Sequence, residues 1–291
     1  MALLHQDFLK TWTPELAWWV GATYGDGNVY SHAGDNRTSI VGSISTTTRW
    51  LALISPGARQ PYERPNSPGT YEAYVHSKEL VEWWQARGIC GKKSHNLEWP
   101  ADLPAALYAH FLRGLWDTDG SLGIERRRAK GRAGNDAPLA SYSSACEGFV
   151  HVVRERVVEL VGVEPVKVMR MKKVERGKTF WQFGVKWSSA PAMKIADALY
   201  GAAPLHLVNE DRLAVYAEMV ALRAGLVVAR CACGAAVQKQ GQCAACWYAA
   251  RPPKNSLEPC ACGAAAVKRG LCSACYHKDR RRRKAAQAAA T

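Results

Sequence analysis

The sequence predicts a duplicated α+β fold, built as two consecutive halves and followed by a tail of different composition. Two observations predict the duplication. A helix-ending segment occurs twice, 93 positions apart, and each copy is followed by the same order of strands and helix. A third observation, a repeat of cysteine pairs, sets the tail apart.

The first half covers residues 1–100. Thr13-Pro14-Glu15 opens a helix, since Thr caps a helix start well and Pro suits the first helical position. The apolar run that follows ends at Gly25-Asp26-Gly27. Residues 28–30, 38–47 and 70–76 are expected as strands. A helix over 78–88 then carries Leu80, Val81 and Trp84 on one face.

The second half covers residues 101–225. Asp102-Leu103-Pro104 starts a helix through Leu107, Phe111 and Leu115 that ends at Asp117-Thr118-Asp119-Gly120. Strands are expected at 121–125 and 139–143, and a helix at 147–161 with Val150, Val153, Val157, Val158 and Val161 as its stripe. Residues 165–173 and 179–188 read as a hairpin around Arg176-Gly177. Helices at 190–200 and 209–223 close the half.

The two helix ends carry the chemistry. In both copies a Gly stands five residues before the Asp, a small residue (Gly25 or Thr118) precedes it, and a Gly follows it. Gly inside a helix costs about 1 kcal/mol relative to Ala, so it needs a reason. A residue without a side chain lets another backbone approach. Close packing along Gly21, Gly25, Gly114 and Thr118 would place Asp26 and Asp119 side by side. Two carboxylates at helix C-termini repel each other and oppose the helix dipoles, and a divalent cation removes that cost. A single Asp-Gly would be read as an ordinary helix stop before a hairpin. Two matching copies point to a shared site.

Composition bounds the function classes. The hydrophobic fraction of 48% and charged fraction of 22% are those of a folded soluble protein. No apolar stretch is long enough to span a bilayer and no secretion signal is visible, so a cytoplasmic location is expected, with no membrane partner. The net charge is +14, and residues 226–291 hold twelve Lys/Arg against Glu258 and Asp279. Such a localised excess favours nucleic acid as partner.

The pattern L-x-G-L-x-D-x-D-G at Leu112 to Gly120 resembles the LAGLIDADG homing endonucleases, with Tyr24 standing in the looser first copy where the family often has an Asp. The resemblance covers about residues 10–225 and extends to His76-Ser77-Lys78-Glu79-Leu80, Gly88-Ile89 and Lys92-Lys93-Ser94. It implies a pseudo-symmetric monomer whose halves are each αββαββα. The motif helices would form the central interface, and two antiparallel sheets would form a saddle on double-stranded DNA. It further implies two or three Mg²⁺ held by Asp26 and Asp119 with the preceding Gly25 and Thr118, and cutting of both strands across the minor groove. A basic residue near the site would stabilise the transition state. Lys186 is the candidate, with His76 or Lys78 at the corresponding place in the first half. Base and phosphate contacts are expected from residues on or beside the strands: Arg37, Arg126, Arg127, Arg128, Lys130, Arg132, Lys167, Arg170, Lys172 and Lys173. Trp18, Trp19 and Trp116 are assigned to the core. A non-cutting nucleic-acid binder on the same scaffold, such as a transcription regulator or an intron RNA maturase, is the alternative. Retention of both Asp26 and Asp119 favours the nuclease, with intron RNA a further candidate partner.

In the tail, Cys231, Cys233, Cys243 and Cys246 are repeated 29 residues later as Cys260, Cys262, Cys272 and Cys275. Four thiolates from two close pairs suit one tetrahedral Zn²⁺. Two structural Zn²⁺ are therefore expected, in zinc-ribbon-like modules at 226–250 and 256–277, before a basic stretch at 278–291. Segments this small build no sufficient core, so the metal would supply their folding energy. Cys90 and Cys146 are expected to be buried free thiols.

Overall fold

The computed structural model describes residues 6–89, 93–125, 136–175 and 177–228. Residues Met1–Ala224 form one compact unit. The cysteine repeats, Cys90 and the basic stretch lie outside the described residues.

The order αββαββα occurs twice. The first half runs α1 (Pro14–Asp26), β1 (Gly27–His32), β2 (Asp35–Gly42), α2 (Ile44–Ile54), β3 (Tyr62–Glu63), β4 (Tyr71–His76) and α3 (Lys78–Gln85). The second runs α4 (Tyr108–Thr118), β5 (Gly120–Glu125), β6 (Ala137–Ser144), α5 (Glu147–Val161), β7 (Met169–Glu175), β8 (Lys178–Ser188) and α6 (Ala190–Ala196). A π-helical turn, Asp197–Gly201, continues α6, and α7 (Glu210–Val228) follows. Each half folds into a four-stranded antiparallel sheet with the same strand order, β1-β2-β4-β3 and β5-β6-β8-β7.

Local chemistry explains the element ends. Thr13 caps α1 by accepting from the Leu16 N–H at 3.1 Å, with Pro14 in the first turn. Ser77 caps α3 through the Leu80 N–H at 3.0 Å. Gly162 stops α5 in the left-handed conformation, φ 60°, where a side chain would be strained.

Four expectations need correction; the helix expected over 78–88 stops at Gln85, and the strand expected over 165–173 spans Met169–Glu175. The strand expected over 38–47 stops at Gly42, because Ser43 caps a helix that the β-branched run Thr46-Thr47-Thr48 conceals. That helix, α2, wins by burying Thr46, Thr47, Trp50, Leu51 and Ile54 on one face, and tertiary burial outweighs local propensity. In the second half the helix expected from Asp102 begins only at Tyr108, after a 3₁₀ turn, Ala105–Leu107.

In each half the helices cover one sheet face and leave the other open. The first core is built on tryptophan. Trp19 of α1 stacks between Trp50 of α2 and Trp84 of α3, with ring centroids 5.2 Å away on each side. The Trp19 indole donates to the Trp50 carbonyl, and the Trp50 indole donates to the Thr23 hydroxyl. The second core centres on Trp116, Tyr142, Phe149 and Trp187, all buried. Cys146 is a buried free thiol.

Candidate active site

The two halves meet through α1 and α4, where backbone touches backbone. A Cβ on Gly21 would land on the Phe111 carbonyl oxygen, and one on Gly114 would land on the Trp18 carbonyl oxygen, 2.6 Å from the Ala22 nitrogen. A Cβ on Gly25 would strike the Thr118 side chain and lie 3.4 Å from the carboxyl carbon of Asp119. The four small residues named from the sequence are thus one continuous contact, and the contact leads to the two acidic ends.

Asp26 is the last residue of α1 and Asp119 caps α4. Asp26 is exposed and Asp119 half-buried, so an approaching ion has access to both. Acting on both is a cation that sequence reasoning assigned no role. Lys93 is buried at 7% exposure, and its Nζ donates to the carbonyls of Tyr24 (2.5 Å) and Gly25 (2.6 Å) at the end of α1. It satisfies carbonyls that a helix end leaves open, where positive charge is favoured.

The three groups perturb one another. Removal from water, followed by the neighbouring Asp26 charge, holds the Asp119 carboxyl up at about 7, and Lys93 pulls it partly back. Surrounding protein raises Asp26 also, again opposed by Lys93. Burial lowers the Lys93 ammonium to about 8 against the pull of both carboxylates. Titratable groups poised near neutrality in a shared cleft are a signature of functional sites.

Two residues before Asp119 lies a buried carboxylate, Asp117, at the position where α1 has Tyr24. Asp117 accepts from the Trp18 indole at 2.8 Å and from the Tyr200 hydroxyl at 2.8 Å. Arg113 and Arg49 act on it electrostatically, and each donates to a backbone carbonyl, of Leu199 and Val208 respectively. Tyr24 instead packs among Phe111, Phe149 and Trp84. The pseudo-symmetry therefore breaks at this pair, with an aromatic on one side and a buried anion on the other.

A cavity of about 290 Å³ opens beside Asp26, lined among others by Ser43, Thr46, Thr118, Asn209 and Arg212. The first turn of α7 forms one wall. Asn209 donates to Thr46 Oγ1 at 3.0 Å, and Arg212 donates to the Gly120 carbonyl, next to Asp119, at 2.7 Å.

The register places the other candidates, and it sets Lys186 across β6 from Ser121, two residues after Asp119. Lys186, on β8 opposite Ser141, pairs with Glu125 at 2.7 Å. His76 pairs with Asp35 and Lys78 with Glu82. Of the basic strand residues, Arg37 is on the open face of the first sheet, paired across to Tyr30 and His76. Lys173, opposite Phe180, shares the open face of the second sheet with Lys186. Arg170 and Lys172 sit opposite Phe183 and Trp181, so the pleat turns them to the helix side, where Arg170 stacks on Trp181 at 3.8 Å. Lys167 precedes β7 and is exposed. Arg126, Arg127, Arg128, Lys130 and Arg132 lie outside the described residues.

No family model and no curated protein matches the chain. Among solved structures, the I-LtrWI LAGLIDADG homing endonuclease bound to target DNA is similar over 74% of this chain and 98% of its own, at 11% identity and TM-score 0.41. The LAGLIDADG meganuclease I-AabMI bound to uncleaved DNA is similar over 72% and 92%, at 9% identity and TM-score 0.45. The N-terminal LAGLIDADG domain of WhiA is similar over 69% and 92%, at 13% identity and TM-score 0.40. No helix among the described residues is long and apolar enough to cross a membrane.

Proposed function

We propose that this protein is a divalent-metal-dependent, site-specific endonuclease of double-stranded DNA, with its centre at Asp26, Asp119 and Lys93. One observation carries the reading. A backbone-to-backbone helix contact brings two carboxylates within electrostatic reach of each other and of a buried lysine. A stability role does not explain that grouping, because placing like charges together at helix ends is costly.

The donor set suits Mg²⁺. No cluster of three or more His, Cys, Asp or Glu occurs among the described residues, so the protein's side-chain share would be the two carboxylates. Mg²⁺ is commonly held by one or two carboxylates, with water and substrate phosphate completing its shell. The Gly25 carbonyl faces the same place, as its bond to Lys93 shows. When bound, the metal supplies an activated water and polarises the phosphoryl oxygen. Asp26 and Asp119 would hold and orient it. Lys93 would keep positive charge beside the phosphate as negative charge builds there.

The sequence resemblance at Leu112 to Gly120 supports the same reading, and the open sheet faces offer surfaces of a size that enters a major groove. The eight tail cysteines fit two structural Zn²⁺, and the basic stretch would add affinity by counterion release.

The test incubates the full chain and Mg²⁺ with a library of duplex targets and sequences the cut ends. Cutting at one long site is expected. Asp26→Asn and Asp119→Asn should each abolish cutting and leave binding of that site near wild type. Binding without cutting by the wild type would replace this reading with the non-cutting binder.

A further inference from the structure

The open face of the first sheet holds an arginine, Arg37, bordered by two aromatic rings. Arg37 lies on β2, which pairs with β1 on one side and β4 on the other. Its direct cross-strand neighbours are Tyr30 on β1 and His76 on β4, and Tyr74 is its diagonal neighbour. The guanidinium carbon stands over the Tyr30 ring at 5.8 Å and over the Tyr74 ring at 6.0 Å, both within cation–π range. Tyr74 is itself braced edge-on by His76 at 5.2 Å and by Tyr62 at 6.1 Å. Asp35, the carboxylate at this corner, is taken by His76 at 3.1 Å. Arg37 Nε is buried without a hydrogen-bond partner.

The guanidinium is therefore bordered by two rings, with its Nε unpartnered. Ring faces fix its plane and leave its planar N–H fork for an acceptor pair from outside. The two rings narrow the rotamer freedom that a free surface arginine would lose on binding. Position and chemistry narrow the acceptor. Phosphates are met by any basic group at the rim, whereas a central-strand residue on an open face meets base edges. In the major groove only guanine offers two adjacent acceptors, O6 and N7, matched to that fork.

Resting on the reading of the chain as a binder and cutter of duplex DNA, we propose that Arg37 is a specificity-determining residue that reads one guanine in the half-site facing the first sheet, with Tyr30 and Tyr74 as its positioning residues. The neighbouring tyrosines and histidines frame it. Arg170 and Lys172, which the pleat turns away from the open face of the second sheet, read no base.

The experiment is a binding selection of the full-length protein against a randomised duplex library in Ca²⁺, so that enrichment does not depend on cutting. Wild type, Arg37→Lys, Arg37→Ala and the double variant Tyr30→Leu/Tyr74→Leu are compared. Wild type should prefer guanine at one position by roughly tenfold. Arg37→Lys and Arg37→Ala should lose that preference at that position alone, with Arg37→Lys keeping its charge and most of its overall affinity. The double tyrosine variant should weaken the same preference with Arg37 still present. Unchanged guanine preference in Arg37→Ala would overturn the proposal. So would a uniform loss across all positions, which marks a phosphate contact, and so would a wild type that enriches no sequence. Cutting is read separately in Mg²⁺. A protein that selects the guanine and does not cut upholds Arg37 and refutes the nuclease.

Discussion

The indole N–H of Trp18 donates to the carboxylate of Asp117 at 2.8 Å, tying α1 to α4 beneath the paired aspartates. Tyr200 donates to the same carboxylate, and Arg113 of α4 itself and Arg49 of α2 act on it electrostatically. Asp117→Ala would leave two donors and two buried cations without their anion. Breaking such a buried network costs about 3–5 kcal/mol. A melting temperature lowered by about 10 °C or more is expected for a domain of this size. A change within a degree or two would show that the network contributes nothing.

Gly114→Ala should destabilise although it adds a single methyl. The new carbon meets the Trp18 carbonyl and the Ala22 nitrogen, both backbone atoms that cannot rotate away. Overpacking of this kind costs about 1–3 kcal/mol, and a contact with main chain belongs at the upper end. Gly123→Ala in β5 is the control, because a Cβ there meets nothing within 4 Å. Thermal melts of the two variants should differ clearly, and equal melts would remove Gly114 from the interface.

The pH dependence of stability follows from the site. In the folded, metal-free protein Asp119 keeps its proton to about pH 7, from an ordinary value of 3.8. Between those values the folded state binds more protons than the unfolded state, so unfolding free energy falls as pH rises through the window. Lys93, lowered from 10.5 to about 8, acts in the opposite sense at higher pH, where the unfolded state holds more protons and stability rises. Melting curves in chelator should therefore show wild type losing ground to Asp119→Asn between pH 4 and 7. Millimolar Mg²⁺ should abolish the difference in wild type, because metal competes with the proton. Parallel curves in chelator would contradict the raised carboxyl.

Lys93→Met should separate chemistry from binding. The ammonium opposes the rise of both carboxyls, so removing it drives Asp119 further up and moves the acid limb of the cleavage profile to higher pH. Loss of one fixed charge in a catalytic site commonly lowers the rate by about a hundredfold. A cleavage rate and profile like wild type would remove Lys93 from the site. Lys186→Met is the comparison, since its ammonium is paired with Glu125.

Metal analysis of the full chain should find two zinc ions, each released with four thiolates when a strong chelator is added. Fewer than two would refute the ribbon reading of Cys231 to Cys275.

The fold was legible where it is repeated. The Gly-to-Asp spacing announced both motif helices, and β4 to α3 and β5 to α5 fell within a residue or two of their places, except at the helix end 78–88, which stops at Gln85. What escaped was decided by burial. The run around Thr46 reads as a strand until its apolar face is seen to fit the core. Lys93 was visible as one of several lysines before the second motif. Nothing local distinguishes a lysine folded inward against two carbonyls from a solvated one. Strand pairing likewise decides which of Arg170, Lys172 and Lys173 faces outward, and one residue of register reverses the answer.

A contact made of main chain cannot be renegotiated by substitution. At a side-chain interface, a larger residue on one helix is met by a smaller one on the other, and the helices drift apart or slide over generations. Where Gly21 meets Phe111 and Gly114 meets Trp18 through backbone atoms, no such exchange exists. The two halves are thereby free to diverge in one place and bound together in another. Their outer sheet faces already share little, with Tyr30, Arg37 and Tyr74 on one and Ser121, Ser141 and Lys186 on the other. The spacing of the acidic ends is thereby set by atoms that every amino acid has, whatever the outer faces carry.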